Sequence, residues 1–190
     1  MDKTAAVRFK HEMLDHPIAN CCCKKSNMII THGSRYRKHG IVIFTGSENI
    51  CCPVCGGSLK VRGTCRRRLI TKDGTETYRL RVLECRNCGR SHRELPSEIV
   101  PYKRHSAGMM ESIATSGPGK HEEITDYSTW RRITLWVIWF FQYAQNIVEG
   151  LKAIATYSQT EFPGNLSCPS LKYFVRIVVN SGNWIQHRTA

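Results

Sequence analysis

The sequence is short of acidic residues and lacks the patterns of several enzyme classes. It has 15 Asp and Glu against 28 Lys and Arg. The few carboxylates are spread over regions of different character, whereas a metal-dependent nuclease or transposase needs carboxylates that converge on a divalent ion. The chain has no glycine-rich phosphate loop of the Walker type and no nucleophile motif. We therefore expect no enzymatic activity of its own.

Leader-like and membrane-spanning segments are also missing. Residues Met1 to Lys10 are mixed and charged and lead into no apolar segment, so no secretory signal is expected. The apolar run from Ile133 to Phe141 is much shorter than the ~20 residues that a bilayer requires. These absences predict a cytoplasmic protein in a reducing compartment, without a membrane partner.

The charge that remains is strongly positive. The formal net charge is +13 and the isoelectric point is about 9.5. More than half of this excess falls in residues 51–104. Such a balance favours anionic partners, with nucleic acid first and an anionic membrane surface second.

Cysteine is the residue that the chain has in abundance, and four of the ten form a pattern. Cys52 and Cys55 form one C-x-x-C pair, Cys85 and Cys88 form another, and a glycine follows each pair. Four thiolates at this spacing predict a zinc ribbon in which Zn²⁺ is structural, because no coordination position stays open. Disulfides or unligated cysteines are the alternative, and rubredoxin-like iron would use the same ligands.

Other potential ligands compete poorly with these four. Cys51 breaks the pair spacing and Cys65 has no paired neighbour. His92 is expected to be hydrogen-bonded or solvated rather than a ligand. The run Cys21-Cys22-Cys23 is too crowded for a regular metal-binding turn and lies in residues 1–27, which we predict to be a poorly ordered extension.

Basic residues cluster around the predicted ribbon. In the segment from Tyr78 to Val82, arginines alternate with apolar residues, which predicts a strand with one cationic face and one core face. Clustered guanidinium groups bind phosphate oxygens well. We predict nucleic-acid contacts for Arg66, Arg67, Arg68, Arg79, Arg81, Lys103, Arg104, Arg131 and Arg132. Solvated surface charge is the alternative.

Local patterns predict strands before residue 104 and helices after it. Strands are expected at Met28–Thr31, Ile41–Thr45, 59–62, 66–71 and 75–83, with a turn-rich segment at 33–40. Ser106 is expected to cap a short helix and Ser128 a long one, whose apolar stripe includes Ile133, Val137 and Phe140. The predicted fold class is α+β: a β-hairpin and zinc-ribbon module at 28–104, then a small helical, helix-turn-helix-like module at 105–190.

Several segments together resemble a known family. These are Cys52–Gly57, the arginine-rich hairpin, Cys85–Arg90, Leu95-Pro96 and Val100–Arg104. They resemble a family of transposase-like zinc-ribbon proteins of unknown function, similar in plan to the N-terminal zinc-ribbon and helix-turn-helix region of insertion-sequence transposases. The resemblance implies a ribbon followed by a DNA-binding helix-turn-helix, but this sequence lacks the catalytic domain of full transposases.

Together these observations predict a DNA-binding zinc-ribbon protein that is transposition-associated or regulatory. Its expected partners are DNA and a second protein such as a transposase. The alternative is a protein–protein interaction adaptor that uses the ribbon and the tryptophan-rich long helix. Salt-dependent binding to DNA distinguishes the two, because an adaptor would show little affinity for DNA at any salt concentration.

Overall fold

The computed structural model describes residues 28–116, 125–157 and 170–185. Six strands come first, namely β1 (Met28–Thr31), β2 (Gly33–Lys38), β3 (Ile41–Gly46), β4 (Leu59–Thr71), β5 (Gly74–Cys85) and β6 (Ser91–Pro96). Three helices follow, namely α1 (Ala107–Thr115), α2 (Tyr127–Tyr157) and α3 (Leu171–Asn180). The predicted extension at 1–27, with Cys21, Cys22 and Cys23, lies outside the described residues.

All six strands belong to one curled, mixed sheet that forks at β5. Along one edge, β5 pairs with β4 in an antiparallel hairpin over nearly its whole length. Along its other edge, the first half of β5 pairs in parallel with β3, and the second half pairs antiparallel with β6. Strand β2 continues the β3 branch and β1 continues the β6 branch.

A buried ion pair occupies the fork between the two branches. Arg81 donates from Nε and Nη2 to the two carboxylate oxygens of Glu94, at 2.6 and 2.7 Å, and Nη2 also donates to the Gly46 carbonyl at 2.8 Å. The Glu94 side chain is only 2% exposed. A Cβ on Gly46 would collide with the Glu94 carboxylate and the Thr31 hydroxyl. Only glycine at this position therefore lets the end of β3 lie this close to β6. Arg81 therefore joins both branches to β5.

The helices cover one face of this sheet. Val42, Leu69, Tyr78 and Leu80 point to that face and share a single hydrophobic core with helix residues such as Trp136. The predicted apolar stripe of α2 lies in this core, with Ile133, Val137 and Phe140 buried. In the part of the chain that the structure describes, no helix packs on the other face of the β4–β5–β3–β2 half. Direct pairing places eight of its residues in two rows, Arg66–Arg79–Ile43–Tyr36 and Arg68–Thr77–Ile41–Lys38, which we call the open face.

The last helix returns to the first strand. The Asn180 side chain accepts a hydrogen bond from the Ile30 N–H and donates one to the Ile30 carbonyl, both at 2.9 Å. Arg176 pairs with Glu48 at 2.8 Å. The two Asn180 hydrogen bonds satisfy backbone groups on the outer edge of β1, which would otherwise be an unpaired sheet edge.

The predicted fold plan is wrong. A hairpin and ribbon followed by a separate helix-turn-helix requires two helices joined by about 3 to 4 residues. Residues 116–126 instead separate α1 from α2, and residues 158–170 separate α2 from α3. The helices pack on the six-stranded sheet through one core rather than forming a module beside a small ribbon.

Several element predictions also need correction. The segment at 33–40, predicted as a turn, contains the whole of β2. Strand β4 is continuous through Gly63, where a register shift between Val61 and Gly63 accommodates the extra residue. Strand β6 is not among the predicted strands. The long helix begins at Tyr127, and Asp126 rather than Ser128 accepts the Thr129 N–H, at 2.9 Å. The Ser106 cap of α1 is confirmed.

Helix α2 exceeds the length needed to cross a bilayer, but length alone is insufficient. Among the described residues, no helix combines that length with enough apolar character to span a membrane.

The fork predicts different roles for two neighbouring arginines. Arg81→Ala should lower the free energy of unfolding by about 3 to 5 kcal/mol, because it leaves the buried Glu94 carboxylate unpaired. Arg79→Ala, the matched control on the same face of β5, should change it by less than ~0.5 kcal/mol. Urea denaturation followed by circular dichroism measures both. Equal effects of the two substitutions would contradict the structural role of Arg81.

The aromatic core of α2 gives a second prediction. Trp136 is buried against Phe140 and Trp184, whereas Trp139 is half-buried and stacks on Tyr143 at 5.4 Å. Trp136→Ala should therefore cost about 3 to 5 kcal/mol. Leu135→Ala, at an exposed position one residue away, should cost less than ~0.5 kcal/mol in the same urea titration. A Trp136→Ala protein as stable as the parent would show that α2 is not anchored by this ring.

Candidate functional site

Both cysteine pairs fold into the same turn. The Gly56 N–H donates to the Cys52 carbonyl at 2.8 Å, and the Gly89 N–H donates to the Cys85 carbonyl at 3.0 Å. The two glycines have φ values of 70° and 68°, a left-handed conformation that residues with a Cβ adopt only with strain. The glycine after each pair is therefore required by the backbone of the turn.

Strand pairing brings the two turns together. Cys85 is the last residue of β5 and pairs with Leu59, the first residue of β4. The first turn lies in the segment 47–58, which joins β3 to β4, and the Arg86 N–H donates to the Ser58 carbonyl at 2.9 Å. The hairpin thus places the second cysteine turn directly beside the end of the segment 47–58.

The four thiols fit a metal ion. All four Sγ atoms of Cys52, Cys55, Cys85 and Cys88 lie within 4.8 Å of one another. The Cys52–Cys88 and Cys55–Cys85 sulfur distances are 3.8 and 3.5 Å. A tetrahedral site with Zn–S bonds of ~2.3 Å has sulfur atoms roughly 3.8 Å apart. These cysteines would hold the ion, which would link the end of β5 to the segment 47–58. Zinc stays the prediction for its identity.

His92 lies beside this site without joining the sulfur cluster. Its Nε2 is 3.3 Å from Cys52 Sγ, and the ring is fully buried. Burial lowers the pKa of His92, with a smaller contribution from Arg90, so the neutral ring is favoured. A neutral imidazole with its proton on Nε2 donates to sulfur and orients the ligand from outside the coordination shell. This agrees with the expectation of a hydrogen-bonded histidine.

The protein environment also favours the ligand form of one thiol. The Cys88 backbone N–H, 3.5 Å from Cys85 Sγ, is the largest of the effects that hold the pKa of Cys85 at about 6. Burial raises the pKa of Cys52. A bound cation would offset the effect of burial on Cys52, because thiols that coordinate a metal lose their protons.

The two competing cysteines lie elsewhere. Cys51 is exposed, and Cys65 packs against the hydrophobic core. Neither belongs to the group of four sulfur atoms.

The predicted arginine cluster divides into two groups. Arg81 is held by Glu94, and Arg67 donates from Nη2 to the carbonyls of Val100 and Lys103 at 2.9 and 2.7 Å. Arg66, Arg68 and Arg79 instead lie on the open face, and none of the three forms an ion pair with a described residue. The alternation of side chains along β4 explains why Arg67 differs from its two neighbours.

A second basic cluster forms where the segment before α1 meets α2. Lys103 Nζ lies 4.4 Å from the ring centre of Trp136, and burial, followed by the nearby charge of Arg132, lowers the pKa of Lys103 to about 8. The Arg104 carbonyl accepts the Ile70 N–H at 2.8 Å, which holds this segment against β4. Arg131 and Arg132 are both exposed. The structure therefore brings Lys103 close to Arg132, although the two lie far apart in the sequence.

The β2 and β3 part of the open face is not predicted from the sequence. Tyr36 and Lys38 fall in the predicted turn, and Ile41 and Ile43 are predicted only as strand residues. The alternation of Ser34, Tyr36 and Lys38 with Arg35 and Arg37 is the available signal for a strand. Tyr36 is 56% exposed on this face.

The metal site gives a testable composition. We expect one zinc ion per chain in protein purified without added metal, measured by elemental analysis. Cys85→Ser should lose the metal, whereas Cys65→Ser, the control outside the cluster, should retain it. Chelation should increase hydrogen exchange in both cysteine turns, because metal binding contributes to the order of its ligand loops. Folded protein without metal would contradict the assignment of a metal site. Bound iron would show that the site exists but that its metal is not zinc.

Comparison with known proteins gives one partial match. The model of a domain of unknown function, DUF6431, matches residues 52–133, which is under half of the chain. The matched region includes both cysteine turns, the β4–β5 hairpin and the basic residues from Lys103 to Arg132. No curated protein matches the chain, and no solved structure does. This region is therefore similar to a family without an assigned function, and no relationship to transposases is shown.

Proposed function

We propose that the protein binds DNA through the open face, with the four-cysteine metal centre in a structural role. The observation that carries this proposal is the cross-strand pair Arg66–Arg79, on a sheet face that none of the three described helices covers. Like charges directly opposite each other on neighbouring strands destabilise a sheet. A phosphate group between the two guanidiniums would convert this repulsion into charge-assisted hydrogen bonds.

The absence of acidic partners supports the proposal. Other basic residues of the sheet form ion pairs, such as Arg62 with Glu84 and Arg37 with Glu76. The arginines of the open face have no such partner among the described residues. They therefore present charge that solvent or an external anion must balance.

The second basic cluster extends this surface. Arg104 is bonded to Ile70, two residues beyond Arg68 along β4. Because Lys103 packs on Trp136, Lys103, Arg104 and Arg132 continue the positive charge around the edge of β4 to the helix side of the sheet. Contacts with a DNA backbone could follow this path, and they would be independent of base sequence.

The same proposal extends to a biological setting. The resemblance to transposase-like zinc-ribbon proteins favours a transposition-associated or regulatory role, in which any strand cleavage or transfer is performed by a partner protein. The match to a family of unknown function supplies no activity of its own.

The adaptor alternative has one observation in its favour. Leu135 and Ile138 lie about one turn apart on α2 and are each more than half exposed. The tryptophans of the long helix, on which the adaptor alternative is based, do not all contribute to its surface, because Trp136 is buried in the core. An adaptor would bind through these aliphatic side chains and show little affinity for DNA.

The arginine pair on β4 provides the test. Replacing Arg66 and Arg68 together by Gln should weaken DNA binding at all sequences. The slope of log K against log salt should fall by ~0.9 for duplex DNA, or by ~0.7 for a single strand, for each phosphate that the variant no longer neutralises. Fluorescence anisotropy with labelled duplex and single-stranded DNA measures both quantities. Arg62→Gln is the matched control, since Arg62 lies on the same strand but is paired with Glu84. An unchanged salt slope in the double variant would refute the proposal.

A further inference from the structure

The open face combines cations with an exposed aromatic ring. In its first row, Arg66 is paired with Arg79, Arg79 with Ile43, and Ile43 with Tyr36. In its second row, Arg68 and Lys38 lie at the two ends. Three arginines therefore lie on the β4–β5 side of the face, and the β2–β3 side presents Tyr36 beside the partly buried Ile43, together with Lys38.

We infer that this face binds single-stranded nucleic acid, with a base stacked on Tyr36 and the backbone held by Arg66, Arg68 and Arg79. The inference rests on the proposed function and specifies its substrate. Proteins that bind single strands combine a positive surface along the backbone with aromatic rings on which unpaired bases stack. A sheet face with exposed aromatic residues is one such platform.

The dimensions of the face argue against a duplex. Four strands at ~4.8 Å spacing place β4 and β2 roughly 14 Å apart, which is wider than the ~12 Å major groove. Bases within a duplex are stacked on one another and do not present their faces to a tyrosine outside. Only an unpaired base can reach Tyr36 while its backbone lies over the arginines.

Ion pairs behind β2 hold Tyr36 in position. Arg35 and Arg37, its neighbours in sequence, lie on the opposite side of the strand, where they pair with Glu98 and Glu76. A slip of β2 by one residue would exchange the two sides and break both pairs. The strand is therefore held in the register that directs Tyr36 outwards, and the ring needs little reorganisation to bind a base.

The far boundary of the face is also defined. On the same side of the sheet, beyond Arg81, Cys52 in the segment 47–58 contacts His92 of β6. This end is thus covered by the metal-binding turn. A bound strand would cross from β4 to β2 next to that covered end.

The test compares the binding of single-stranded and duplex DNA by the whole chain. Anisotropy titrations use a labelled oligothymidylate and a mixed-sequence duplex of equal length. Wild-type protein should prefer the single strand. Tyr36→Ala should weaken single-strand binding about 5- to 150-fold, as expected for loss of one base–aromatic stack. Its duplex affinity and its salt slope should not change, because the ring makes no phosphate contact.

Control variants separate stacking from other effects. Tyr36→Phe should retain single-strand affinity, since the ring rather than the hydroxyl stacks. Tyr127→Ala removes another exposed tyrosine, which lies on α2 and outside the open face, and it should leave the preference for the single strand unchanged. Photocrosslinking with 5-iodouracil in the oligonucleotide should label the peptide that contains Tyr36.

The outcomes distinguish this inference from the proposed function. Equal or tighter binding of the duplex, or unchanged single-strand binding by Tyr36→Ala, would overturn the inference. If the double Gln substitution at Arg66 and Arg68 still weakens binding in that case, the proposed DNA-binding function stands. If neither the tyrosine nor the arginine substitutions matter, both fail.

Discussion

The contact between Arg81 and Glu94 is the constraint on which the rest of the structure depends. Strands β3 and β6 pair with the same edge of β5 and must diverge where they meet. At that point Arg81 binds the Glu94 carboxylate of one branch and the Gly46 carbonyl of the other. A charge as buried as that of Glu94 requires a partner, because desolvation of an unpaired carboxylate costs several kcal/mol. The forked arrangement of the sheet therefore depends on this ion pair.

Each branch of the fork carries a different part of the candidate site. The β6 branch supplies His92 and follows the turn that contains Cys85 and Cys88, so it forms the metal end of the sheet. The β3 branch supplies Ile43 and, through β2, Tyr36. The metal would hold the segment 47–58 over one end of a sheet face, and the other end would stay accessible. In the proposed function, the metal would contribute to nucleic-acid binding by shaping this surface rather than by contacting the nucleic acid.

Local patterns explain which elements are predictable. The cysteine turns depend on residues within a few positions of each other, and the Ser106 cap depends on one hydroxyl and a nearby N–H. Both are predicted from the sequence. Strand β2 is missed because its glycine and basic residues resemble a turn, and only pairing with β3 makes it a strand. The helix-turn-helix prediction is wrong because helix patterns specify apolar faces, whereas packing on the sheet decides how the helices are arranged.

For the candidate site, the sequence by itself determined the four sulfur ligands and the alternation that separates arginines from core residues on β5. Both follow from covalent spacing and from the two-residue period of a strand. Only the tertiary structure decided that Arg81 and Arg67 serve the fold, while Arg66, Arg68 and Arg79 stay available. That division depends on partners distant in the chain, such as Glu94 for Arg81 and the Val100 carbonyl for Arg67. Identical arginines on one hairpin acquire different roles because folding buries a partner beside some of them, whereas the others have no such partner among the described residues.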